Sequence, residues 1–134
     1  MKFANWIITT VLTVSVASAS WGADAEEGET LYLEYCATCH GLALDGQGPM
    51  AGAMLMKPAD LTVLTAQNGG VFPLRRVVDR IDGRDPLVAH GSPMPVYGHF
   101  FEGRGARLKA EDGDAIVTSR NIADLVAYVE TVQK

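Results

Sequence analysis

The run Tyr35-Cys36-Ala37-Thr38-Cys39-His40-Gly41 sets two thiols three residues apart and an imidazole directly after the second. A Cys-x-x-Cys-His run is the attachment pattern of a c-type haem. On one helical turn Cys36 and Cys39 fall at i and i+3 and His40 at i+4, so both sulfurs face the same way. Such a turn suits thioether bonds to the two vinyl groups of one porphyrin edge, with His40 as the proximal nitrogen to iron.

Three other chemistries use paired cysteines. A thioredoxin-like redox couple belongs beside a βαβ pattern, which this chain lacks. A closed zinc site takes four ligands, and beyond these two cysteines the chain offers only three histidines. A plain disulfide leaves His40 without a role. The haem reading accounts for all three residues.

Around that motif, 134 residues with 48% hydrophobic content make one domain with a compact core. The formal net charge of -5 excludes a basic nucleic-acid surface. Cys36 and Cys39 are the only cysteines, so no disulfide framework holds the fold and a cofactor would do that work.

Upstream, Lys2 is followed by an apolar run from about Phe3 to Val16 and then by the small-x-small triplets Ala17-Ser18-Ala19 and Ala23-Asp24-Ala25. This reads as an export signal over residues 1–25, cut after Ala25, leaving a mature domain over 26–134. Cutting after Ala19 and retention as an anchor are the alternatives. The run is shorter than the ~20 apolar residues that span a bilayer, so no membrane span is expected in the mature chain. Removing residues 1–25 takes away Lys2 and Asp24 together, and the net charge stays at -5. Export to the periplasm and thioether chemistry fit one another, because free thiols outside the cytoplasm tend to oxidise.

Glu26, Glu27 and Glu29 suit the positive end of a helix dipole, and Leu31 with Tyr35 and Gly28 with Tyr32 are spaced to pack on two helix faces. At the far end Ile122, Leu125, Val126 and Val129 recur at helical spacing behind a cap at Thr118 or Ser119. Between them, Gly46-Gln47-Gly48-Pro49 is turn chemistry expected to wrap the haem edge, with Pro49 against it, and Met50, Met54 and Met56 fill gaps around a flat cofactor. Asp60 caps a turn or short helix in Pro58-Ala59-Asp60-Leu61-Thr62. A helix is expected over 72–81, begun by Pro73 and ended by Gly83, with Leu74, Val77, Val78 and Ile81 buried. Of its arginines, Arg75 is the candidate for a haem propionate.

His90-Gly91-Ser92-Pro93-Met94-Pro95-Val96-Tyr97 holds a methionine between two prolines, a stiff setting for a thioether aimed at a metal. Met94 is therefore the expected distal ligand; His90 and His99 are alternatives that would give bis-histidine iron at lower potential. Tyr97 offers a ring to pack on the haem and a hydroxyl for a propionate. From Phe101 to about Val117 the residues are polar, charged and without evident period, which reads as an exposed loop.

Together these segments resemble a class I bacterial cytochrome c over nearly all of residues 26–134: Gly28 and Tyr32, Cys36-Ala37-Thr38-Cys39-His40-Gly41, Gly46-x-Gly48-Pro49, Pro58-Ala59-Asp60-Leu61, Met94 in Ser92-Pro93-Met94-Pro95, and Leu125-Val126-x-Tyr128-Val129. The resemblance implies an all-α fold of three to five helices around one covalently bound haem c, with N- and C-terminal helices packed together near Gly28. It implies single-electron carriage between larger redox proteins, as a monomer or complex subunit, and not an enzyme. A haem c subunit dedicated to one oxidoreductase and a ligand-binding or peroxidase-like haem protein are the other classes. The polar insertion after Met94 departs from the smallest family members.

Overall fold

The computed structural model describes residues 22–85 and 92–134. The apolar run of the export signal and His90 lie outside the described residues, so the readings made of them are not addressed by it.

The chain opens with α1 (Ala25–Tyr35), whose first turn carries Glu26 and Glu27 as its dipole favours. Asp24 caps it, its carboxylate accepting from the Glu26 N–H at 3.0 Å and the Glu27 N–H at 3.4 Å. A one-turn α2 (Ala37–His40) follows, then 3-10 turns at Ala51–Ala53 and Leu61–Val63, a short α3 (Leu64–Gln67) and α4 (Leu74–Asp82). The Asp60 carboxylate accepts from both the N–H and the hydroxyl of Thr62, at 2.9 and 2.6 Å. α4 buries Val78 and stops at Gly83, which takes φ +89° as a helix-ending glycine does. After β1 (Gly105–Lys109) and β2 (Ala115–Ser119), the chain ends in α5 (Arg120–Thr131), where the Ser119 hydroxyl accepts from Ile122 N–H.

α5 lies against α1, and Tyr32, Ile122, Leu125, Val126 and Val129 meet between them with almost no exposure. Gly28 makes that approach possible. A Cβ there would lie 2.0 Å from the Asp124 carbonyl oxygen and 2.9 Å from Tyr128 Cβ, so the helices touch backbone to backbone. The Tyr32 and Tyr128 rings pack 5.6 Å apart beside it. A polar tie seals the same crossing: the buried Asp124 carboxylate accepts the Asp24 N–H at 2.7 Å and pairs with Arg120 at 3.0 Å, and Arg120 also donates to the Gly22 carbonyl at 2.7 Å. Residues 22–24, expected to leave with the signal, are therefore built into the fold.

The all-α expectation is overturned by β1 and β2, an antiparallel hairpin in the stretch expected to be an open loop. The register sets Gly105 opposite Ser119, Arg107 opposite Val117 and Lys109 opposite Ala115. The period is two. Ala106 and Leu108 turn inward from β1, and Ile116 and Thr118 from β2, while Arg107, Lys109 and Val117 face out. Gly113, at φ +91°, turns the chain, and the Ala110 N–H donates to the Asp114 carbonyl at 2.8 Å. Among the described residues no helix is long and apolar enough to cross a membrane.

Candidate functional site

The two cysteines and His40 form a single helical turn hung from the end of α1. The Cys36 N–H closes α1 on Tyr32 at 2.8 Å, the Cys36 carbonyl accepts from Cys39 and His40 at 3.1 and 2.9 Å, and Gly41 N–H donates to Ala37 at 2.9 Å. Both thiols are half-buried and neither is in a disulfide. Burial, with the Cys39 sulfur close by, pushes the Cys36 thiol up to about 11, so it is protonated at neutral pH.

Contacts from the flanking segments hold this turn from outside. The Tyr32 hydroxyl, buried, donates to the Gly41 carbonyl at 2.6 Å. Gly48 slides under the turn, its N–H on the Cys39 carbonyl at 3.1 Å, and a Cβ there would meet that backbone at 2.5 Å. Gly46 N–H donates to the His40 carbonyl at 2.8 Å. Leu44, buried and at φ +58°, turns its carbonyl to the Leu61 N–H at 2.7 Å and so ties the loop to the Pro58–Leu61 segment. A left-handed leucine costs on the order of 1 kcal/mol and persists because its surroundings hold it.

The decisive contact is on His40. Its Nδ1 lies 2.9 Å from the Ala59 carbonyl oxygen, an acceptor only, so Nδ1 carries the proton and Nε2 keeps the lone pair. An imidazole oriented by a backbone carbonyl through one nitrogen presents the other as a metal ligand. Two sulfurs and one directed imidazole on a single turn fit a covalently held haem. Apolar side chains left at the surface beside the turn, Leu42 at 79% exposure and Met50 at 47%, suit a flat apolar ring as well.

Tyr97, which follows the expected distal segment, reaches the end of α1. Tyr97 donates its hydroxyl to the Tyr35 carbonyl at 3.0 Å, its N–H to Ile81 at 2.9 Å, and stacks on Phe101 with ring centroids 5.4 Å apart. Burial first, then the Cys36 and Cys39 sulfurs, push its hydroxyl above the ordinary tyrosine range. Met94, three residues earlier, is half-buried between exposed Pro93 and Pro95, with its N–H on the Ser92 hydroxyl at 3.2 Å. Tyr97 thus clamps the Met94 loop to the end of α1.

Pro49 is exposed and sits between two residues whose N–H groups bind the attachment turn, Gly48 on Cys39 and Met50 on Thr38. Arg75 is placed elsewhere: its guanidinium lies 3.5 Å from Asp112 and 3.9 Å from Asp114, and its N–H donates to Glu111 at 3.3 Å. Arg80 of α4 pairs with Asp85 at 3.4 Å, and Arg84, just past the helix end, with Asp79 at 3.8 Å and with Asp82. His99 is 97% exposed beside Glu102, away from the role of an iron ligand that was its alternative reading. Sequence reading missed the Tyr32 hydroxyl and the Ala59 carbonyl. The first acts nine residues along the chain and the second is backbone, so neither leaves a side-chain pattern.

A family model described as cytochrome C oxidase, cbb3-type, subunit III matches residues 23–129. No curated protein and no solved structure matches the chain.

Proposed function

Because the chain belongs to the c-type cytochrome family described as cytochrome C oxidase, cbb3-type, subunit III, we propose that it carries single electrons through one haem c held by its own cysteines. Haem iron supplies one-electron cycling between Fe(II) and Fe(III) when bound. Cys36 and Cys39 would hold the ring as thioethers, and His40 would bind the iron through Nε2, its ring fixed by the Ala59 carbonyl. That contact is the observation on which the reading rests. Met94 would supply the second ligand, and a thioether paired with an imidazole would favour Fe(II) and raise the potential. With His40 and Met94 both taken up as ligands, the iron would have no position for a substrate, which favours carriage over catalysis. Gly48 and Met50, on either side of Pro49, bond the attachment turn, and Tyr97 bonds the end of α1; Arg75, engaged with the hairpin turn, is not kept as a haem contact.

Donor and acceptor are redox proteins of the periplasm or its membranes, met through the small transient interface that electron carriers use. The net charge of -5 gives salt-sensitive association with a basic partner surface. The subunit named by the family model favours one second reading, a haem c subunit dedicated to a larger oxidase. Co-purification in fixed ratio with such a complex would select it over free diffusion.

The test is an intact mass and an optical spectrum of protein exported from cells that attach haem. The mass of one haem above the polypeptide, a Soret band and a far-red methionine-to-iron band in the oxidised form are expected. His40→Ala should keep the added mass and change the ligand spectrum. A chain without Soret absorption or added mass overturns the reading; rapid CO binding to the reduced form overturns Met94 as the ligand.

A further inference from the structure

The hairpin has two edges, and they are not alike. β2's is covered from the end of α4: Arg84 donates to the Val117 carbonyl at 3.1 Å, and Asp82 accepts from the Thr118 hydroxyl at 3.4 Å. β1's edge borders a groove of about 480 Å3 whose far wall is Gly22, Ala23 and the first turn of α5.

The register shows what β1 offers along that edge. Arg120 donates to Arg104 and Ala110 to Asp114, which marks those as hydrogen-bonded pairs of the ladder. Such pairs alternate in an antiparallel ribbon. Ala106 and Leu108 therefore bond to β2, while the N–H and C=O groups of Gly105, Arg107 and Lys109 point outward into the groove. The same three residues are the exposed ones of the strand.

Their charge is selective. In a chain with 16 acidic and 11 basic residues, Arg104 to Lys109 contains three cations and no acid. The carboxylates of the hairpin turn, Glu111, Asp112 and Asp114, are engaged with Arg75, and Asp124 beside the groove with Arg120. Among the described residues Arg107 and Lys109 make no ion pair.

From these observations we infer that β1 is a docking edge, which takes an extended acidic segment of a partner protein as a third strand. Main-chain hydrogen bonds to Gly105, Arg107 and Lys109 supply the pairing, and acidic side chains opposite Arg107 and Lys109 supply the choice of partner. Two other occupants fit less well. A second copy of this chain would bring Arg107 and Lys109 towards their own copies across the new ladder, and facing like charges destabilise a sheet. The chain upstream of Gly22 carries Lys2 as its only charge and brings no acid. The proposal stands apart from the haem reading, since it uses no residue of the attachment turn.

The probe is a synthetic peptide of about seven residues, matched to the length of β1, alternating Glu with Val or Thr. Titrated into the exported full chain at low salt, it should bind and slow hydrogen exchange at the Arg107 and Lys109 amides more than tenfold, leaving Ala106 and Leu108 unchanged. The same peptide with Gln for Glu should bind at least tenfold more weakly. Arg107→Glu with Lys109→Glu should weaken the acidic peptide by about tenfold or more, with an unchanged Soret spectrum and melting temperature. Two outcomes overturn the inference: binding that leaves the edge amides unprotected, and equal binding of the Gln peptide or by the charge-reversed variant. Protection of the same amides by self-association without peptide would assign the edge to a second copy and overturn it too.

Discussion

Replacing Gly28 with alanine tests the helix crossing that closes this fold. The added Cβ would stand 2.0 Å from the Asp124 carbonyl oxygen, and ordinary contact begins at 3.4 Å, so α1 and α5 must part by about 1.4 Å (3.4 minus 2.0). A gap of 0.5–1 Å already forfeits about a quarter to a half of the dispersion energy at a contact. Tyr32, Leu125, Val126 and Val129, none more than 4% exposed, pack across this seam and would all feel it. Overpacking costs about 1–3 kcal/mol, and more when backbone is the obstacle, against about 1 kcal/mol gained from alanine's helix propensity. The net expected loss is about 3 kcal/mol, or a fall in melting temperature on the order of 10–20 °C for a domain of this size. Urea unfolding followed by circular dichroism should show a lower midpoint with an unchanged slope. Adding Tyr128→Ala should not restore it, because the nearer obstacle is the Asp124 backbone. A Gly28→Ala protein as stable as the parent would refute the crossing as described, since propensity alone would then decide the outcome.

Tyr32→Phe leaves the buried Gly41 carbonyl without its 2.6 Å donor, and a loss of about 1–3 kcal/mol is expected in the same urea assay. Asp24→Ala removes the α1 cap and should cost about 1 kcal/mol; by the same reasoning, N-terminal sequencing of the processed chain should find Gly22 to Asp24 retained, which a cut after Ala19 permits and one after Ala25 does not. The Thr62 hydroxyl and N–H hold the Asp60 carboxyl below the usual carboxylate range, and the Asp114 N–H, with Arg75, does the same for Asp112. Depressed folded values stabilise above the unfolded pKa of about 4, and that stability is lost as pH falls through the folded values. Carboxyl carbon NMR should place both midpoints below that of an ordinary aspartate, and an Asp112 midpoint unmoved by Arg75→Ala would remove the arginine from the explanation.

The parts of this molecule legible in its sequence are those whose cause is local. Cys36, Cys39 and His40 are read from spacing because one helical turn is enough to gather them. α4 is read from Leu74, Val77, Val78 and Ile81 and from the glycine that stops it, and α5 from its apolar stripe behind Ser119. The hairpin was hidden because its inward face is carried by Ala106 and Thr118 as much as by Leu108 and Ile116, and a small or polar residue at half the positions blurs a period of two. Arg75 was misdirected for another reason: its partners lie 36 and more residues away, in a turn that exists only once the two strands pair. The packing of Tyr35, Tyr97, Phe100 and Phe101, with centroids between 5.1 and 6.3 Å, is likewise a product of tertiary structure.

The tie between Asp24 and Asp124 spans 100 positions of the chain, and α5 is the element against which α1 packs most closely. Contacts so far apart form late, after the entropy of a long loop has been overcome. On that ground α1 is expected to pack only once α5 has formed, with the Cys36 and Cys39 thiols just behind it accessible until then. The two halves of the seam stand at opposite ends of the polypeptide, so closing this fold is a property of the whole chain and of neither half alone.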